Sequence, residues 1–287
     1  MLGSSCLFKI APSVTRRDAN IGRVTSLDLQ QWLRAQCSEY AYDLRGVFRV
    51  AGSTQWPLAA TDAADLEAKL AANGHLLPLP KEPAALANVL EVSIVDFLLD
   101  RVAASGDALT ARRGGERVYP DLELTGPDVD GKYYAVDIKV AQRRIPKKAG
   151  SSASQTQSRI TLYTGNTYFA YPTLHWPGTF RPFADYARHY DVIGIYTLNR
   201  DSASRVDDLE LVVQEPWRIG SRKRSSTTRE YIGAVQGLDE LREGRGEFKT
   251  EAEFYKFWKA YNFRIGGTVR NQLNKLLAQQ NQGSTQT

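Results

Sequence analysis

The chain has 287 residues, of which 42% are hydrophobic, 24% charged and 10% aromatic; these proportions exclude a disordered, collagenous or membrane-spanning protein and leave a globular one. Lysine plus arginine (37) against aspartate plus glutamate (32) gives +5, an excess that favours a polyanionic partner without singling one out. Cys6 and Cys37 are too few for a structural zinc site and fit a reduced, cytoplasmic protein. The most apolar stretch, residues 89–104, carries Glu91, Asp96, Asp100 and Arg101, so no membrane span is expected, and Lys9 lies behind the apolar residues that a signal peptide would place after its charge.

In chain order, residues 1–24 read as a loose basic arm and 26–44 as a helix with Leu29, Trp32, Leu33 and Ala35 as its apolar positions. Residues 46–50 read as a strand, and 55–83, rich in Ala, Leu and Pro, as an insertion with a short helix over 63–72. Pro83 suits the first turn of a long helix, where Leu86, Val89, Leu90, Ile94, Phe97, Leu98 and Val102 make one stripe at helical spacing. A hairpin follows, 118–124 and 133–140, joined by turn-forming residues 126–131. Residues 141–158, with Arg143, Arg144, Lys147 and Lys148 ahead of a Ser/Gln/Thr run, read as a mobile basic loop. The pattern then predicts a helix over 182–189, strands over 192–198 and 209–213, a basic loop, and a helix over 251–261 that Thr250 and Glu253 open as a capping box. Residues 279–287 read as a polar tail.

The hairpin carries the chemistry. With its turn centred near Val129, Asp121 on the first strand falls opposite Asp137 on the second, and facing residues hold their Cβ atoms about 4.5–5.5 Å apart. Lys139 shares a face with Asp137, roughly 6–7 Å along the strand, while Val136 and Ile138 point the other way. Two close carboxylates stay ionised only beside a cation, and Mg²⁺, held by one or two carboxylates plus phosphate oxygens, suits the pair. Such an ion activates water and offsets charge at phosphorus, and Lys139 would position or activate that water. The competing reading is a surface hairpin with ordinary ion pairs, but Asp137 and Lys139 interrupt an otherwise apolar strand, where charge is costly without a role. Residues 126–132 fail as a phosphate-binding loop because Tyr133 replaces the required hydroxyl, and as a calcium loop because Gly126 takes the first ligand position. His75, His175 and His189 are too scattered for zinc.

Pro120-Asp121 followed by Asp137-Ile138-Lys139 resembles the PD-(D/E)xK nuclease signature. Taken in order, Tyr119-Pro120-Asp121, residues 135–139, Thr161-Leu162, Pro182-Phe183, residues 193–197 and residues 254–258 resemble the EcoRV-type restriction endonucleases over about residues 84–262. The resemblance implies an α+β restriction-endonuclease-like core, a mixed β-sheet flanked by helices with the catalytic β-hairpin at the DNA cleft. It implies Asp121 and Asp137 as metal ligands, Lys139 as the catalytic lysine and Glu91 as an accessory catalytic metal ligand. The activity implied is type II: Mg²⁺-dependent hydrolysis, with Mn²⁺ able to substitute, of both strands of double-stranded DNA at a short palindrome, leaving blunt ends. A homodimer, a cognate DNA methyltransferase and a bacterial cytoplasm go with it. Residues 1–83 would supply the dimer surface, 84–262 the catalytic and DNA-binding core, and 263–287 a C-terminal helix and tail.

Residues 217–230 gather five positive charges and five hydroxyls, and the same span reads bases in the EcoRV type. Arg222, Lys223, Arg224, Ser225, Ser226, Thr227, Thr228 and Arg229 are therefore expected DNA contacts, together with Thr161. Lys223 to Ser226 replace a glycine- and asparagine-rich stretch of the family's namesake, which points to a different, G·C-containing site. Arg143, Arg144, Lys147 and Lys148 are expected to grip phosphates. The alternatives are a structure-selective repair or junction nuclease and a non-cleaving DNA-binding module.

Overall fold

The computed structural model describes residues 26–42, 62, 64, 83–115, 117–146, 151–199 and 205–283. The expected basic arm, the strand at 46–50, nearly all of the 55–82 insertion and the pair Lys147 and Lys148 lie outside the described residues.

Helix α1 (Leu29–Ser38) begins where the Asp28 carboxylate accepts the Gln31 amide at 3.1 Å, and it buries Leu29, Leu33 and Cys37. It ends earlier than its sequence pattern predicts because Tyr40 leaves the helix axis: its hydroxyl meets Ser93 and its ring packs edge-on against Phe97. Helix α2 (Pro83–Ala104) follows the expected stripe, sealing Leu86, Leu90, Ile94, Leu98 and Val102. Both helices cover one face of a five-stranded sheet made of β1 (Thr110–Arg113), β2 (Leu122–Thr125), β3 (Tyr134–Gln142), β5 (Arg188–Leu198) and β6 (Val206–Gln214), in the order β1-β2-β3-β5-β6. Strands β3 and β5 run parallel and the other pairs antiparallel, so this is a mixed α+β core.

The opposite face carries a three-stranded sheet, β4 (Thr161–Thr164), β8 (Tyr231–Ala234) and β7 (Gly220–Arg224), with α3 (Leu238–Glu243) and α4 (Glu251–Lys259). One core joins the layers: Ala135, Ile193 and Ile195 of the large sheet meet Leu162, Ile232 and Ala234 of the small one, beside the fully enclosed Phe254 and Trp258. Thr250 caps α4 at the Glu253 amide as expected, while the Glu253 carboxylate accepts from the Lys249 amide. Helix α5 (Gly267–Gly283) extends through residues expected to be tail.

Three segments differ from their sequence patterns. Residues 182–189 form only the short turn Phe183–Asp185 before β5 begins, because Arg188 and His189 are drawn into parallel pairing with Tyr134 and Ala135. The basic loop after Trp217 is largely the β7–β8 hairpin. Residues 151–158 are pinned in place: Thr156 is wholly buried with its amide on the Gln236 carbonyl, and the Gln157 amide reaches the Gln142 carbonyl at 2.7 Å. Among the described residues no helix is long and apolar enough to cross a membrane.

Candidate active site

The turn between β2 and β3 sets everything at this site. Asp130 and Gly131 both take positive φ (56° and 65°), and at Gly126 a Cβ would lie 2.5 Å from the Ala108 carbonyl oxygen, so glycine is required there. The register that follows pairs Leu122 with Val136, Glu123 with Ala135 and Leu124 with Tyr134. One step further brings Asp121 against Asp137, and the Asp121 carboxylate accepts the Ile138 amide at 2.6 Å. Val136 and Ile138 face α2, which leaves Asp137 and Lys139 on the face towards the small sheet.

Asp137 is 8% exposed, and Lys139 donates its ammonium to the Asp137 Oδ2. Burial, then the charge and hydrogen bond of Asp137, push the Asp121 carboxyl up to about 8, against the smaller pull of Lys139 and the Ile138 amide. Two unit charges at ~4 Å repel by about 4 kcal/mol at an effective dielectric of roughly 20, enough to hold one proton on the pair until a cation arrives. Burial works against the Lys139 charge, but Asp137, Asp121 and Asp191 outweigh it and raise the ammonium above its ordinary range. The donors that face each other are carboxylate oxygens, which fit a hard, oxygen-preferring cation such as Mg²⁺ rather than zinc. His189 is half-buried, is held neutral by burial, its value lowered to about 3, and is engaged by the Tyr119 hydroxyl at 2.7 Å.

Glu91 arrives from α2, on the other side of the sheet. Burial raises its carboxyl, the nearby Lys139 charge lowers it, and the Asp137 charge adds to the rise. It stands in the electrostatic reach of the pair, but among the described residues no three His, Cys, Asp or Glu side chains converge as a metal cluster. Asp191, unremarked in the sequence pattern, lies in register beside Asp137 on β5 and is 1% exposed. Its signal was an acid inside the apolar run 190–196.

The expected DNA contacts separate into two groups. Lys223, Thr227, Thr228 and Arg229 are exposed at or beside the tip of the β7–β8 hairpin, and the Ser226 hydroxyl braces the tip by accepting the Thr228 and Arg229 amides. Ser225 is tied to Thr161 at 2.7 Å, and Arg224 is paired with Glu230 at 2.6 Å. Arg222, in contrast, is drawn away to Glu253 and lies over the rings of Phe248 and Phe257. Arg143 is also occupied: it is 11% exposed, paired with Glu210 and bonded to the Asp208 carbonyl, which makes it a brace between β3 and β6. Arg144 meets Gln155 at 3.3 Å and keeps the more open position.

The family model described as restriction endonuclease EcoRV matches residues 52–280. The type II restriction enzyme EcoRV of Escherichia coli is 20% identical over 208 residues, covering 67% of this chain and 80% of that protein.

Proposed function

This chain belongs to the restriction endonuclease EcoRV family, and from that premise we propose that it is a Mg²⁺-dependent type II enzyme that hydrolyses both strands of double-stranded DNA at a short palindrome. The observation that carries the reading is the facing of Asp121 and Asp137 across the hairpin, with the Lys139 ammonium on the second of them.

Asp121 and Asp137 would hold the cation, with Glu91 adding negative charge from beyond Val140. The cation supplies positive charge against the negative charge that develops at phosphorus. Lys139, kept protonated by its three carboxylate neighbours, donates hydrogen bonds towards the attacking water or the scissile phosphate. The Ile138 amide fixes the Asp121 carboxylate, so the pair is oriented before substrate arrives. The β7–β8 tip, with Lys223, Ser225, Ser226, Thr227, Thr228 and Arg229, would enter a groove and read base edges, supported from behind by Thr161 and Arg224. Arg144 would contact the backbone.

Cutting both strands of a palindrome requires two such sites about a dyad, hence a homodimer, with a methyltransferase protecting the same sequence in a bacterial cytoplasm. The apolar side of α1 is committed to the core, so its outer face is what this helix would offer to that contact. Blunt ends follow from the family reading. Incubating purified protein with plasmid and Mg²⁺ tests it: discrete fragments whose sequenced termini share one palindrome are expected. Preference for branched DNA, or binding without cleavage, would overturn it.

A further inference from the structure

Three carboxylates stand in a row across three neighbouring strands. Asp121 faces Asp137 by the β2–β3 register, and Asp137 is in direct register with Asp191 across β3 and β5. The outer two have different surroundings. Asp121 accepts the Ile138 amide, whereas Asp191 is 1% exposed and its Oδ2 has no hydrogen-bond partner. A buried carboxylate oxygen left unmatched is costly enough that it calls for an explanation.

Lys139 is the cation whose charge reaches Asp191, acting against burial and the charges of Asp137 and Asp121, which together hold that carboxyl well above its ordinary range. In this structure that ammonium sits on Asp137, the middle of the row. A divalent cation between Asp121 and Asp137 would compete for the same carboxylate and repel the ammonium. The lysine stem is flexible, and residues in register on adjacent strands are only about 5 Å apart, so Nζ can shift to a neighbour without moving the backbone. We propose that Asp191 is a positioning residue: it is the second anchor for Lys139, accepting the ammonium when a divalent cation occupies the Asp121 and Asp137 pair. The inference rests on the metal-binding reading given above.

Direct ligation by Asp191 is the weaker reading. Asp191 is 1% exposed beside the apolar core, away from the solvent a hydrated ion and a phosphate would come from, and among the described residues it does not converge with Asp121 and Asp137 as a metal cluster.

Mn²⁺ affinity without DNA, measured by electron paramagnetic resonance, tests this in four proteins: wild type, Asp191→Asn, Lys139→Met and the double variant. With Lys139 present, Asp191→Asn strands the ammonium against the ion and should weaken Mn²⁺ binding about tenfold; with Lys139→Met the same change should matter less than about twofold. Asp191→Leu, suited to an apolar setting, should repeat the pattern. Equal weakening in both backgrounds would make Asp191 a ligand and overturn the proposal, as would no weakening in either. Absence of Mn²⁺ binding in the wild type would overturn the metal-site reading as well, so the two failures are distinct.

Discussion

The carboxyl of Asp121 makes the site sensitive to pH. Its folded value, about 8, lies above the ordinary 3.8, so the folded chain holds a proton that the unfolded chain has released between those values. Stability from this group is complete below the ordinary value and is lost as pH rises through about 8. Metal-free protein should therefore melt at progressively lower temperature from pH 5 towards pH 8, and Mg²⁺ should raise the melting temperature more at pH 8 than at pH 5.5. Scanning calorimetry at the two pH values, with and without Mg²⁺, checks both signs. Asp137→Ala and Lys139→Ala should each lower cleavage by ~10²-fold or more while specific binding of a DNA duplex survives, because the β7–β8 tip is untouched. Retained cleavage in both would remove these residues from the site. Arg229→Ala, at the exposed tip, separates two kinds of contact: loss of discrimination at one base pair means base reading, whereas uniform weakening with a salt slope lower by about 1 means a phosphate.

At the scale of elements, α2 and the β2–β3 hairpin hold the site. Leu90 is fully enclosed next to Glu91, and Leu90→Ala should lower unfolding free energy by about 2–5 kcal/mol in urea titrations. Both elements were legible because their signals are local. The helix announces itself by spacing, and the turn at 126–131 by residues that tolerate positive φ; their joint consequence, Asp121 opposite Asp137, follows by counting. The misreadings share a different cause. Residues 182–189 and 217–230 have weak local preferences, and pairing with strands distant in sequence decides their form. The same limit hid Asp191, since an acid in an apolar run becomes informative only once β5 lies beside β3. Arg143 and Arg222 read as DNA contacts because charge is visible in sequence, while the partners Glu210 and Glu253 that they meet are far along the chain.

For the whole molecule, the family reading predicts two copies per DNA site. Sedimentation should give a species near twice the chain mass, and sedimentation as a single chain both free and on DNA would exclude concerted cutting of a palindrome. One side chain already described has a wider reach. Glu230, 7% exposed, clasps Arg224 on the β7–β8 hairpin and also Arg264, which lies just ahead of α5. On the proposed reading, this clasp would give the hairpin a fixed shape before it meets DNA, so less ordering would be left for the moment of contact. It would also set a negative charge beside two guanidinium groups, tempering their pull on a duplex of any sequence. Unclasping them, as Glu230→Gln would, should make the protein a stickier and poorer judge of sequence.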